Sequence, residues 1–368
     1  AEASPAEPSP ADRAIAAAER VVAAQPDQAD GYNQLALAFA RRARETADGT
    51  YYDRAEQAIA RSLVLAPDNF EAGKLRAWVL LGKHEFAAAL EQATALNRRM
   101  PDDLLVYGLL TDAYVELGRY ADAEVACQWM LDLRPGNVPA FTRAAYLREL
   151  FGDIEGALDL MQQAHARTSP AETEDRAWML THIGHLELLA GRTDEAERAL
   201  GQALALFPDY HYALAGLAKV RLAQERATEA ATLLQRRYDA APHPENLFAL
   251  AEALDRAGRR PEARAAFEDF ERLALRESEG WDNANRELVF YYANHADQPA
   301  KALAIAEREV ARRHDVYTLD AYAWALHAND RHDEAHAQIA RALAVGVKDP
   351  ELLRRAGAIE ASVGVRIP

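Results

Sequence analysis

The sequence predicts an all-α fold, a solenoid of about nine helix–turn–helix units with a C-terminal closing helix. Three observations predict it. Pro67, Pro101 and Pro135 stand 34 residues apart, and Pro208 and Pro242 repeat that spacing. Between the prolines, apolar residues return every three or four positions, the period of one helical face. A glycine falls midway through most units, at Gly82, Gly118, Gly152, Gly191 and Gly258, where a first helix has to end.

Taken in order, residues 1–9 read as a flexible Ala/Pro-rich leader, because AEASPAEPSPADR contains no apolar run. The chain begins with Ala, which fits a mature end left by removal of a signal peptide. A periplasmic or extracellular bacterial protein is therefore expected, with the cytoplasm as the alternative. A regular array covers 10–281 and opens with a half-unit at 11–25. The first full unit carries seven extra residues around RETADGTYY (44–52), which lengthen its turn or its helices. A second insertion near Thr168–Asp175 lengthens the entry to the helix carrying Trp178. After Phe270 the spacing slips, so 282–368 is expected to hold C-terminal units and a capping helix at 350–363, continuous with the array.

Each recurring residue type has a physical reason. Small residues such as Ala123, Gly184 and Ala335 let two helix backbones approach where a larger side chain would overpack. The glycines accept a left-handed cap conformation, and proline stops the second helix because its ring cannot continue the hydrogen-bond ladder. The stretch WMLTHIGHLELLAGRTDEAERALGQALALFP carries the whole pattern through Leu180, Ile183, Gly184, Gly191, Ala196, Leu200, Ala203 and Pro208. Leu110, Tyr114, Gly118, Ala123, Cys127, Met130 and Pro135 repeat it, as do Leu319, Tyr322, Ala323, Leu326, Ala335, Ile339 and Ala342. Two helices in a 34-residue unit with these residues resemble the tetratricopeptide repeat (TPR) family over roughly residues 10 to 363. The resemblance implies a right-handed solenoid whose first helices line a concave, partner-binding face.

Composition narrows the function classes. The 368 residues carry 42 Lys plus Arg against 58 Asp plus Glu, a net charge of −16. Such a balance argues against general binding to nucleic acid or to an anionic membrane. No apolar run is long enough to span a bilayer. One cysteine, Cys127, allows no internal disulfide, and its place on an inner helical stripe makes it a packed thiol. Gly-rich phosphate loops and a G-x-S-x-G elbow are absent, so no catalytic constellation and no cofactor are expected. His332-Asp-Glu-Ala-His336 misses the H-E-x-x-H arrangement because Asp333 stands where the general base belongs. The pairs His332/His336, with His327 across the turn, and His182/His185 are expected to be solvated polar faces rather than metal sites.

Projecting the non-core face of each first helix gives the candidate partner-binding set. It comprises Trp78, Asp112, Glu116, Tyr146, Glu149 and Trp178. It continues with His185, Tyr212, Lys219, Phe248, Glu252 and Asp255, and ends with Asp320, Trp324 and His327. Aromatics supply large contact area at low entropic cost, and interleaved carboxylates favour a partner with basic or aromatic groups. The expected function is a non-enzymatic scaffold or adaptor that binds a partner protein or extended peptide in this groove. The alternatives are extracytoplasmic metal handling by the C-terminal histidines, or a regulatory or assembly subunit of an enzyme complex.

Overall fold

The computed structural model describes residues 8–280 and 283–364. Twenty helices run through these residues. A leading helix, α1 (Pro10–Ala24), precedes nine pairs. The first four pairs are α2 (Ala29–Thr46) with α3 (Thr50–Leu65), α4 (Phe70–Gly82) with α5 (Phe86–Arg99), α6 (Leu104–Glu116) with α7 (Tyr120–Leu133), and α8 (Val138–Leu150) with α9 (Ile154–Arg167). Next come α10 (Thr173–Leu189) with α11 (Thr193–Leu206), α12 (His211–Ala223) with α13 (Ala227–Ala240), and α14 (Pro244–Arg256) with α15 (Arg260–Glu277). The last two pairs are α16 (Asn285–Asn294) with α17 (Pro299–Val310) and α18 (Val316–Ala328) with α19 (His332–Leu343), and α20 (Pro350–Val363) follows them. The expected unit count and closing helix are both present.

Helix entries follow from short polar motifs. Two residues beyond Pro67, Pro101 and Pro135 stand the N-caps Asn69, Asp103 and Asn137. Each side chain accepts from the backbone three residues on, satisfying an amide the helix itself cannot, which is worth ~1 kcal/mol per cap. The turn inside each unit places one residue at positive φ, at 84, 118, 152, 191, 225, 258, 297 and 330, and Ala47 does so in the first unit. Glycine is thus one solution among several, since His84, Glu225, Asp297 and Asp330 take the same conformation.

Gly82 departs from its expected role. It is the last residue of α4, and His84 takes the left-handed conformation with φ 60°. Glycine is needed there because a Cβ would stand 2.3 Å from the Tyr52 ring. Tyr52 belongs to the first insertion, which goes into helix. At 18 and 16 residues, α2 and α3 exceed the 13 and 14 of α4 and α5. The second insertion behaves alike, with α10 reaching 17 residues. Where the spacing slips, α15 lengthens to 18 residues and α16 shortens to 10. Residues 1–7 of the expected leader and the 281/282 boundary lie outside the described residues. Ser9 does not belong to a free leader: it caps α1 in a reciprocal pair with Asp12 and bonds Glu45.

Neighbouring helices pack through alanine. Ala36, Ala55, Ala93, Ala123, Ala157, Ala196, Ala203 and Ala230 are fully buried, which allows close backbone approach. Small interfaces bend the stack tightly enough for distant units to touch. Arg44 at the end of α2 bonds Glu174 and Asp175 at the start of α10, and the His211 Nε2 donates to the Arg44 carbonyl at 3.1 Å. Glu116 at the end of α6 meets Arg313 at 2.6 Å, while the Val316 amide donates to Tyr120 Oη at 2.9 Å. One apolar cluster joins Val115, Leu147 and Leu150 to Val316 and Leu319. A Cβ on Gly152 would stand 2.5 Å from the Gly346 carbonyl oxygen. The solenoid therefore winds past one turn and closes on itself.

Candidate functional site

Closure turns the inner face of the first units into a cavity of about 880 Å³. Its walls bring together five of the fifteen residues the sequence singles out: Trp78, Asp112, Glu116, Tyr146 and Trp178. They come from α4, α6, α8 and α10, successive first helices, which is why one projection finds them. Between them stand Arg41, Arg44, Arg143, Arg167 and Arg313, together with His84, Phe86 and His182. The projection missed these. Arg143 was legible, being one turn before Tyr146 on the same helical face. Arg313 was not, because it arrives from the loop before α18.

The deep carboxylates of the groove are not free to attract a basic partner. Asp112 accepts two hydrogen bonds from Arg143, one of them Nε–Oδ1 at 2.8 Å. Glu116 is paired with Arg313, whose guanidinium also holds Asp315 at 2.7 Å. Burial raises Glu116 to about 7, opposed by Arg313 and reinforced by Asp315 and Asp112. Asp175 is taken by Arg44 at 2.6 Å. Among the described residues Arg41 and Arg167 carry no ion pair, Arg167 lying over the Phe141 ring and donating to the Gln163 carbonyl. Glu172, exposed at the mouth, has no arginine partner either. The expectation of an acidic groove is thereby corrected, because each deep carboxylate is already engaged by a cation of the protein's own wall.

Glu149 and the α10 histidines also depart from the sequence reading. His182 Nε2 lies 2.7 Å from one oxygen of Glu149 and His185 Nε2 lies 3.1 Å from the other. The two rings form no solvated face: they hold a carboxylate that is itself buried. Burial alone would raise Glu149, and the two histidines outweigh it, holding the group well below the usual carboxylate range. The His182 ring stacks on Trp178 with centroids 5.7 Å apart and meets Tyr146 edge-on at 6.3 Å. This pairing fixes the orientation of the cavity's aromatic wall.

The remaining candidates do not join the cavity. Phe248 is a core residue, packed on Phe267 and Phe270. Asp320 is 2% exposed and held by Arg355. Trp324 donates from Nε1 to Asn294 at 2.8 Å and stacks on His327, whose Nδ1 faces His332 Nδ1 at 3.1 Å. Tyr212 packs on His211, Glu252 stands 3.7 Å from His295, and Lys219 and Asp255 are exposed. His336 does not sit on a solvated face, since its Nε2 is buried. Among the described residues no group of three or more His, Cys, Asp or Glu is arranged to hold a metal ion. Cys127 packs in the core, where burial pushes its thiol up to about 11. No helix of the described residues is long and apolar enough to cross a membrane.

A continuous stack of helix pairs bent around an aromatic inner cavity defines an all-α repeat solenoid. Residues 187–245 match the tetratricopeptide repeat family model, and helix pairs of the same kind stand on both sides of that stretch. No curated protein matches its sequence. Among the solved structures that share the fold are two at 14% identity. The APC/C hetero-tetramer Cut9–Hcn1 aligns with TM-score 0.51 over 89% of this chain, which spans 55% of the matched one. The human IFIT1 dimer with PPP-AAAA aligns with TM-score 0.56 over 90% of this chain and 85% of the other.

Proposed function

We propose that the protein is a non-enzymatic adaptor that holds an extended segment of a partner protein inside the cavity. The observation that carries this reading is the gathering of Trp78, Tyr146 and Trp178 around one space of about 880 Å³ on the inner face. That volume admits a few side chains of a peptide, and rigid aromatic walls bury them at little entropic cost. The charge pattern favours a segment that alternates apolar or aromatic residues with carboxylates. Arg41 and Arg167 remain available to such carboxylates, whereas the deep wall carboxylates do not remain available to lysines.

The test is fluorescence anisotropy with three labelled probes: a Trp/Glu peptide, a Trp/Lys peptide of equal length, and a single-stranded oligonucleotide. The acidic peptide is expected to bind, with Trp78→Ala/Trp178→Ala weakening it at least tenfold, about 1.4 kcal/mol. Binding of the lysine peptide alone would overturn the charge assignment. Preferential binding of the oligonucleotide would replace the protein partner with a nucleic acid, and no binding of any probe would move the site off the cavity.

A further inference from the structure

Successive turns of the solenoid meet along two different seams. Along one, the Glu116–Arg313 pair and the Val316–Tyr120 bond lie beside an apolar cluster of Val115, Leu147 and Leu150 with Val316 and Leu319, and main chain lies against main chain at Gly118 and Gly152. Along the other, the first unit meets α10 and α12 through polar groups. Arg44 bonds Glu174 and Asp175, Tyr210 Oη donates to the other oxygen of Glu174 at 2.7 Å, and His211 Nε2 donates to the Arg44 carbonyl. Among the described residues no apolar cluster joins α2 or α3 to α10 or α12. Arg44 and Asp175 also form part of the cavity wall. Both belong to the stretches that break the 34-residue period, so the two insertions meet each other.

These seams respond differently to opening. Separating the apolar seam exposes oily surface to water, a loss with no compensation. Separating the polar seam returns the part-buried Arg44 and buried Glu174 charges to water, and the hydration they regain offsets much of the lost interaction. From this asymmetry we infer that Arg44 with Glu174 and Asp175 is a latch on the cavity. The latch releases the first unit from α10 and admits a partner segment from the side while the apolar seam holds the rest of the superhelix together. The inference rests on the cavity being the binding site, but its geometry is tested without any ligand.

Pulsed electron spin resonance on the full chain reads both seams in a Cys127→Ser background. Labels at Asp48→Cys and Ala171→Cys span the polar seam, and labels at Ala121→Cys and Ala311→Cys span the apolar one. Arg44→Ala, and separately Glu174→Gln/Asp175→Asn, are expected to broaden the first distribution and lengthen it by about a helix diameter, ~10 Å. The second distribution and the helical circular dichroism should not change. Thr142→Cys, on the cavity wall, should react with a bulky fluorescein maleimide about tenfold faster in the same variants, the factor for one lost ion pair of ~1.4 kcal/mol. An unchanged first distribution overturns the latch, and so does widening of both seams together. A widened seam with an unchanged labelling rate removes its gating role. A working latch in a protein that binds none of the three probes would instead discard the adaptor reading and leave the latch standing.

Discussion

A Cβ on Gly118 would stand 2.5 Å from the main-chain oxygen of His314. Gly118 has φ +70°, so its backbone already favours glycine. Gly258 has the same conformation, φ +75°, with nothing within 4 Å of the place a Cβ would take. The pair separates conformational strain from the packing of one turn on the next. Gly258→Ala should cost about 1 kcal/mol, the penalty for a left-handed non-glycine residue. Gly118→Ala should cost about 2 kcal/mol more, because a carbonyl oxygen cannot rotate aside as a side chain would. Urea melts of the two variants measure this, and equal losses would show that the turns do not bear on each other at this point.

Asp320 is held on two oxygens by Arg355, with Nε at 2.9 and 3.1 Å. Burial raises this carboxyl, and the arginine opposes it. Removing the cation leaves a charge without a partner in a site that water does not reach, so Arg355→Ala should lose about 3–5 kcal/mol. Replacing both groups by apolar ones, Asp320→Leu/Arg355→Met, should restore most of that loss. A double-mutant cycle in thermal melting decides between a needed charge pair and a merely tolerated one.

His211 supplies a pH dependence with a definite sign. Burial lowers it from 6.5 to about 4, against the pull of its bond to the Arg44 carbonyl. Between those two values the unfolded chain takes up a proton that the folded chain does not. Folding stability therefore falls as pH drops from about 6.5 to about 4, and the whole contribution is lost below that. The melting temperature of His211→Phe should change less over this window than that of the wild type. Parallel pH profiles would show that the ring is not buried in neutral form.

Cys127 should be chemically silent in the folded protein. With its thiol pushed up to about 11 inside the core, little thiolate exists at pH 8. Iodoacetamide is expected to label it only in denaturant, at a rate that follows unfolding. Rapid labelling in buffer would place the thiol at a surface instead.

Much of this architecture was legible in the residues. The prolines mark where second helices stop, and the caps Asn69, Asp103 and Asn137 mark where the next first helices begin. Those signals are local, each acting within a few residues of the chain. The first-helix projection placed Trp78, Asp112, Glu116, Tyr146 and Trp178 on one surface because the repeat carries equivalent positions to equivalent places. It failed at Phe248 and Asp320, which face packed neighbours rather than the cavity. Phe248 packs on α15 through Phe267 and Phe270, and Asp320 is held from α20 by Arg355.

The sequence by itself determined the unit, its number and the two insertions that break the period before the slip after Phe270. Only the tertiary structure decided that those two breaks meet, through Arg44 and Asp175, and that Arg313 reaches back to Glu116. Local signals set the bend between one unit and the next, and a small angle repeated over many units determines which distant residues touch. That accumulated angle appears in no single motif. It converts a groove that reads as acidic into a cavity whose deep carboxylates are already paired.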